Sequence, residues 1–107
     1  MQTYAIMRRH GWATRDELDR AGDRSDHVRE GEMAGQMRWI RSYFFQEEEG
    51  TLGTICIYEA ESPEAIREHA GRARLPADEI LPVLETVVNE ADAELTATKT
   101  RQDGRCR

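Results

Sequence analysis

Apolar and polar positions alternate from the first residues of the chain. Over residues 3–9, Tyr4, Ile6 and Arg8 fall on one side and Thr3, Ala5 and Met7 on the other, which predicts a strand. His10, Gly11 and Trp12 read as a loop after it. Thr14 followed by Glu17 matches a capping box, so a helix is predicted from about Arg15. Its apolar stripe, Leu18, Ala21, Ser25 and Val28, is narrow among charged neighbours, as in a lightly anchored surface helix. Gly31 and Gly35 bracket its end. Residues 37–46 then alternate clearly, with Trp39, Arg41, Tyr43 and Phe45 on one side and Ile40, Ser42 and Phe44 on the other.

The acidic segment 46–53 holds two glycines and turns that strand back into a hairpin. Glu47, Glu48 and Glu49 read as its solvated tip. Residues 55–58, Ile-Cys-Ile-Tyr, form an unbroken apolar run suited to a strand shielded on both faces. Ser62 is a good N-cap, Pro63 fits the first helical position and Glu64 complements the dipole, so a second helix runs to about Arg74. After Leu75-Pro76-Ala77-Asp78 comes a last strand within residues 80–88. Pro82 would interrupt a central ladder, so this strand starts near Val83 or lies on an edge. Residues 91–107 are polar without apolar period and are expected to be a disordered tail, leaving one domain over residues 1–90.

The order β-α-β-β-α-β is that of a ferredoxin-like α+β sandwich, a four-stranded antiparallel sheet with both helices on one face. The other face would leave tyrosine, tryptophan, phenylalanine and isoleucine in water, so a homodimer closing two sheets into a dimeric α/β barrel is expected.

Composition narrows the function classes. The chain has 107 residues and a formal net charge of −6, which argues against a nucleic-acid partner. Residues 1–9 hold no apolar core of signal-peptide length, and no run approaches the ~20 apolar residues of a membrane span. A cytoplasmic protein without membrane contact is expected. The two cysteines, Cys56 in a strand and Cys106 in the tail, read as free thiols.

If Ile40, Phe44, Ile55 and Ile57 face the helices, the other sheet face gathers Trp39, Arg41, Tyr43, Cys56 and Tyr58. A guanidinium, two phenols, a thiol and an indole would line a pocket for a small anionic or aromatic ligand. The same set would equally serve as a dimer core whose polar tips bond each other. Arg41, a fixed cation facing a closed cavity, calls for an anion. That opens a second class, a small-molecule enzyme with Arg41 as anchor and Tyr43 or Tyr58 as acid and base, although no nucleophile, base and orienter are visible together. Among the three histidines, His10, His27 and His69, no pair has metal-site spacing, and His69 lies beside the small apolar stripe of the second helix, where a packed structural role is common.

Trp39-Ile40-Arg41-Ser42-Tyr43, Cys56-Ile57-Tyr58-Glu59-Ala60, Ile66-Arg67-Glu68-His69-Ala70 and Leu75-Pro76-Ala77-Asp78, in that order, resemble a family of small, mainly bacterial proteins that includes a nickel-binding member with a ferredoxin-like fold. The resemblance spans roughly residues 2–90 and implies the same fold and dimer. It also implies divalent-metal binding, nickel or similar, in or near the intersubunit cavity, with His69, Asp78 and His27 as candidate ligands. Family members often carry histidine where Arg41 stands and glutamate where Met7 stands, so the resemblance places two poorer ligands at those positions here.

Overall fold

The computed structural model describes residues 1–90. The predicted tail, with Cys106, lies outside the described residues. The elements are β1 (Gln2–Trp12), α1 (Arg15–Glu30), β2 (Met37–Gln46), β3 (Leu52–Ala60), α2 (Pro63–Ala73) and β4 (Glu79–Pro82). They form one four-stranded antiparallel sheet in the order β2-β3-β1-β4, with both helices on one face: the ferredoxin-like arrangement.

Local chemistry sets the helix ends as expected. The Thr14 hydroxyl accepts from the Glu17 amide at 3.2 Å, and the Glu17 carboxylate accepts from the Ala13 amide at 2.9 Å. Ser62 accepts from the Ala65 amide at 3.1 Å ahead of Pro63. α2 ends on Arg74 in the left-handed region, with the Leu75 amide bonding back to the Ala70 carbonyl at 2.8 Å. From α1, Arg24 donates to the Ala73 carbonyl at 2.8 Å and ties the two helices together.

Cross-strand partners share a face, so register decides what meets the helices. Three rows face them: Trp39, Tyr58, Tyr4 and Pro82; Ser42, Cys56, Ile6 and Ile80; Phe44, Thr54 and Arg8. From the first two rows, Tyr4, Ile6, Cys56 and Tyr58, with Ile80 beside them, pack with Val28, Met33, Ala65 and Ile66 in the main core. The opposite face carries Arg41, Ile57, Ala5 and Leu81 in one row and Tyr43, Ile55, Met7 and Glu79 in the next.

Several expectations about register are corrected. β2 carries a bulge at Ile40, between the pairs Trp39 to Tyr58 and Arg41 to Ile57, so its alternation is not continuous. Trp39 therefore faces the helices while Arg41 and Tyr43 face away. β3 presents Cys56 and Tyr58 to the helices and Ile55 and Ile57 to the other side, the reverse of the predicted register. The five residues proposed for one sheet face are thus divided between two.

β1 also runs on through the predicted loop. His10 adopts φ 52, and the register shift between Arg8 and Trp12 absorbs it, so Trp12 still pairs with Leu52. Opposite this shift, an added Cβ on Gly53 would stand 2.7 Å from the Arg8 carbonyl oxygen, so a side chain has no room there. β4 lies on an edge but ends at Pro82 instead of starting after it. Glu47 is not a solvated tip. It is buried, accepts from Arg9 at 2.8 and 2.9 Å and from the His10 amide at 3.1 Å, and its carboxyl is held down to about 2 by the Arg9 bond.

Candidate functional site

Between α1 and the sheet lies an open cleft of about 710 Å³, within the usual range for small-molecule sites. Its floor comes from the row Phe44, Thr54 and Arg8 and from Cys56 and Tyr58 next to it; Trp12, Trp39 and Leu75 close it laterally, and Leu18 to Asp26 of α1 form the roof. The narrow apolar stripe of α1 is what leaves this space. Leu18, Ala21, Ser25 and Val28 are its buried residues, and Ala21 and Ser25 are small side chains that fill little of the gap to the sheet.

Arg8 is the unusual member. It is only 2% exposed, and its one hydrogen bond among the described residues runs from Nη1 to the Pro76 carbonyl at 2.5 Å. It makes no ion pair with any described carboxylate, and it lines the cleft. A guanidinium carries five N–H donors and a permanent charge, so four donors and the charge are left without a partner among the described residues. Beside it, the Cys56 thiol donates to the Thr54 hydroxyl at 3.4 Å.

Deeper in, Ser25 is the hub of a polar cluster. Its hydroxyl lies 3.0 Å from His69 Nε2 and 3.3 Å from the Tyr58 hydroxyl, and it accepts from Arg29 at 3.1 Å. His69 is fully buried, and its Nδ1 has no partner among the described residues. Burial, with the positive Arg8 and Arg29 nearby, lowers its pKa to about 4, so the ring is neutral at pH 7. Burial also raises the Tyr58 phenol, which stays protonated. A serine facing a histidine invites comparison with a nucleophile and base. The imidazole here has no orienting partner on Nδ1 and is too weak a base, so the cluster is suited to structure and to hydrogen bonding.

Two aromatic side chains on β2 wall the cleft. Trp39 Nε1 donates to Ser42 Oγ at 2.9 Å, and the Arg29 guanidinium lies 5.4 Å from the indole centroid. The Arg15 guanidinium lies 5.1 Å from the Phe44 ring and is paired with Asp19 at 2.9 Å.

The sequence-derived site residues are therefore dispersed. Trp39, Cys56 and Tyr58 line the cleft, whereas Arg41 donates to the Tyr43 hydroxyl at 3.3 Å on the other sheet face. His69 is in the core, His27 is exposed on α1, and Asp78 accepts from the Arg9 amide at 2.5 Å near the β1 edge. No three His, Cys, Asp or Glu side chains converge on a metal position among the described residues. Arg8, which sequence reasoning passed over, shares a face with Tyr4 and Ile6. An arginine in phase with two core residues was the signal that could have found it.

A family model described as SCO4226-like, nickel responsive protein SCO4226-like, matches residues 4–83. Among solved structures, the crystal structure of SCO4226 from Streptomyces coelicolor A3(2) is similar, with a TM-score of 0.62 and 22% identity, covering 79% of this chain and 99% of that one. At this identity the likeness supports the fold. No curated protein matches the sequence.

Proposed function

The chain belongs to the SCO4226-like family of nickel responsive proteins, and from that premise we propose that it is a ligand-binding protein whose ligand is a small anion held by Arg8 in the cleft under α1. The observation that carries this reading is the burial of Arg8 without a carboxylate. An uncompensated buried ion costs several kcal/mol, and natural cores avoid it unless a ligand completes the pair. This moves the anion-binding role expected of Arg41 to another arginine and another face of the sheet.

Nickel does not fit the described residues as a resident ion. The outer sheet face offers Met7 and Arg41, a thioether and a cation, where a borderline divalent ion wants imidazole and carboxylate. His69, His27 and Asp78 do not come together. The nickel responsiveness in the family description therefore finds no counterpart in a chelating site of these residues. The enzyme alternative is also unsupported, since Tyr58 is a neutral buried phenol and Tyr43 is bonded to Arg41 away from the cleft.

The partner proposed is a second copy of the chain. Ala5, Met7, Ile55, Ile57 and Leu81 make an apolar outer face, and Leu84, Val87 and Val88 beyond β4 are exposed, Leu84 at 99%. Joining two such faces would bury both groups.

Melting curves test the anion reading. Wild type and Arg8→Met are heated at constant ionic strength with chloride, acetate, benzoate or inorganic phosphate. An anion at ten times its Kd adds about 1.4 kcal/mol, a rise of ~6 °C for a domain of this size. Wild type is expected to show such a rise with at least one anion and Arg8→Met none, while Arg8→Met without anion melts no lower than wild type. Equal anion effects in the two proteins, or a large loss of stability in Arg8→Met, would mean that Arg8 serves the fold alone.

A further inference from the structure

We infer that the ligand of this cleft is an organic monoacid with a planar apolar body, its carboxylate on Arg8 and its ring between Trp39 and Phe44 on one side and α1 at Gly22 on the other. This deepens the anion-binding reading and rests on it.

Trp39 and Phe44 are 44% and 48% exposed, yet both point to the helix side of edge strand β2. Trp39 is there because of the bulge at Ile40, which returns the chain to that face after one extra residue. Neither ring is loose, since Ser42 and Arg29 hold the indole and Arg15 lies over Phe44. Rigid aromatic rings beside empty space are a preorganised surface for a flat apolar body, which loses little entropy in stacking there.

The opposite wall carries the second observation. Gly22 lies in the middle of α1, where glycine costs ~1 kcal/mol relative to alanine. No close approach requires it, because an added Cβ would meet nothing within 4 Å. Gly22 lines the cleft, and the missing side chain keeps its mouth wide opposite the β2 rings.

Size and charge complete the description. At about 710 Å³ the cleft has far more room than a phosphate or acetate ion fills. Its rim is acidic. Asp19 is neutralised by Arg15 and Asp26 by Arg29, but Asp23 has no ion-pair partner among the described residues. One buried cation, with the unpaired Asp23 at the rim, suits a single negative charge better than several.

The test is a calorimetric titration of the full chain, with tryptophan fluorescence in parallel, using 2-naphthoate, acetate, inorganic phosphate and neutral 2-naphthylmethanol. The naphthoate is expected to bind at least tenfold tighter than each of the other three. Arg8→Met should weaken naphthoate at least tenfold and leave the alcohol unchanged. Gly22→Phe should plug the cleft and abolish binding, while Gly22→Ala retains it; Trp39→Ala should weaken naphthoate several-fold, which covers the case in which the phenylalanine variant fails to fold. Acetate or phosphate binding as tightly as naphthoate, with Arg8 still required, would overturn the planar body and leave the anion reading standing. Naphthoate binding that is undiminished in Arg8→Met, or no Arg8-dependent binding of naphthoate, acetate or phosphate, would overturn both.

Discussion

His69 shows how one residue can be conserved in type between prediction and structure while its chemistry changes. In sequence it is an imidazole beside a small stripe; in the fold it is fully buried against Ser25, with Tyr58 at a ring separation of 5.7 Å and with Arg8, Arg29 and Asp26 as its charged surroundings. Its pKa falls to about 4, against an ordinary value of 6.5. The sign of the linkage follows: between these values the unfolded chain binds a proton that the folded chain refuses, so stability contributed by neutral His69 is complete above pH 6.5 and is lost as pH falls to about 4. The loss is on the order of 3 kcal/mol. Denaturant melts of wild type and His69→Gln between pH 7.5 and 4 check this, and the slope in this window should be present in wild type and largely absent in the variant. A variant with the same slope would assign the acid sensitivity elsewhere. The Glu47 carboxylate, held down by Arg9, adds its own loss as pH falls below 4.5, so the slope assigned to His69 is the one read above that pH.

At the scale of elements, the caps, the periods and the turn residues were enough to find both helices and the first three strands, because these are decided by nearby residues: Thr14 with Glu17, Ser62 with Pro63, and the glycines after α1; the last strand was expected on an edge or from about Val83, and it is an edge strand that ends at Pro82. What each strand shows to which side was not legible. Two long-range facts decide it, the bulge at Ile40 and the pairing of Cys56 with Ile6, and a shift of one residue exchanges the faces. The candidate site suffered most from this. Trp39, Arg41, Tyr43, Cys56 and Tyr58 were expected together on the face away from the helices; Trp39, Cys56 and Tyr58 instead turn to the helix side, and Arg41 and Tyr43 alone stand on the expected face. Arg8 was misjudged for a different reason. It lies in phase with Tyr4 and Ile6, so the strand pattern already put it on their face, but an arginine is rarely buried without a partner and its charge made solvent the expected surroundings.

For the whole molecule, the sheet has two faces with different tasks. The helix side supplies the core and the cleft, and the outer side presents apolar rows crossed by Arg41 and Tyr43, continued by the exposed residues beyond β4. Among the described helices none is long and apolar enough to cross a membrane, and a second copy of the chain is the occupant proposed for the outer face. Light scattering after size exclusion should give twice the mass of the 107-residue chain. Ile57→Asp, at the centre of that face, should shift the species to one chain without loss of helix content, whereas an unchanged mass would place the contact elsewhere. Because the cleft lies on the other side of the sheet, the monomeric variant should still bind an Arg8-dependent ligand.

The distinction between the two faces leads to the most direct measurement: an NMR titration of the labelled protein with 2-naphthoate, following the Arg8 side-chain Nε–H, the Trp39 indole N–H and the Ile55 and Ile57 amides. Binding under α1 predicts that the Arg8 and Trp39 signals move together and saturate, while those of the outer face stay within small shifts. Saturable movement centred on Arg41, Tyr43, Ile55 and Ile57, with Arg8 unmoved, would contradict it and return the ligand to the face between two sheets.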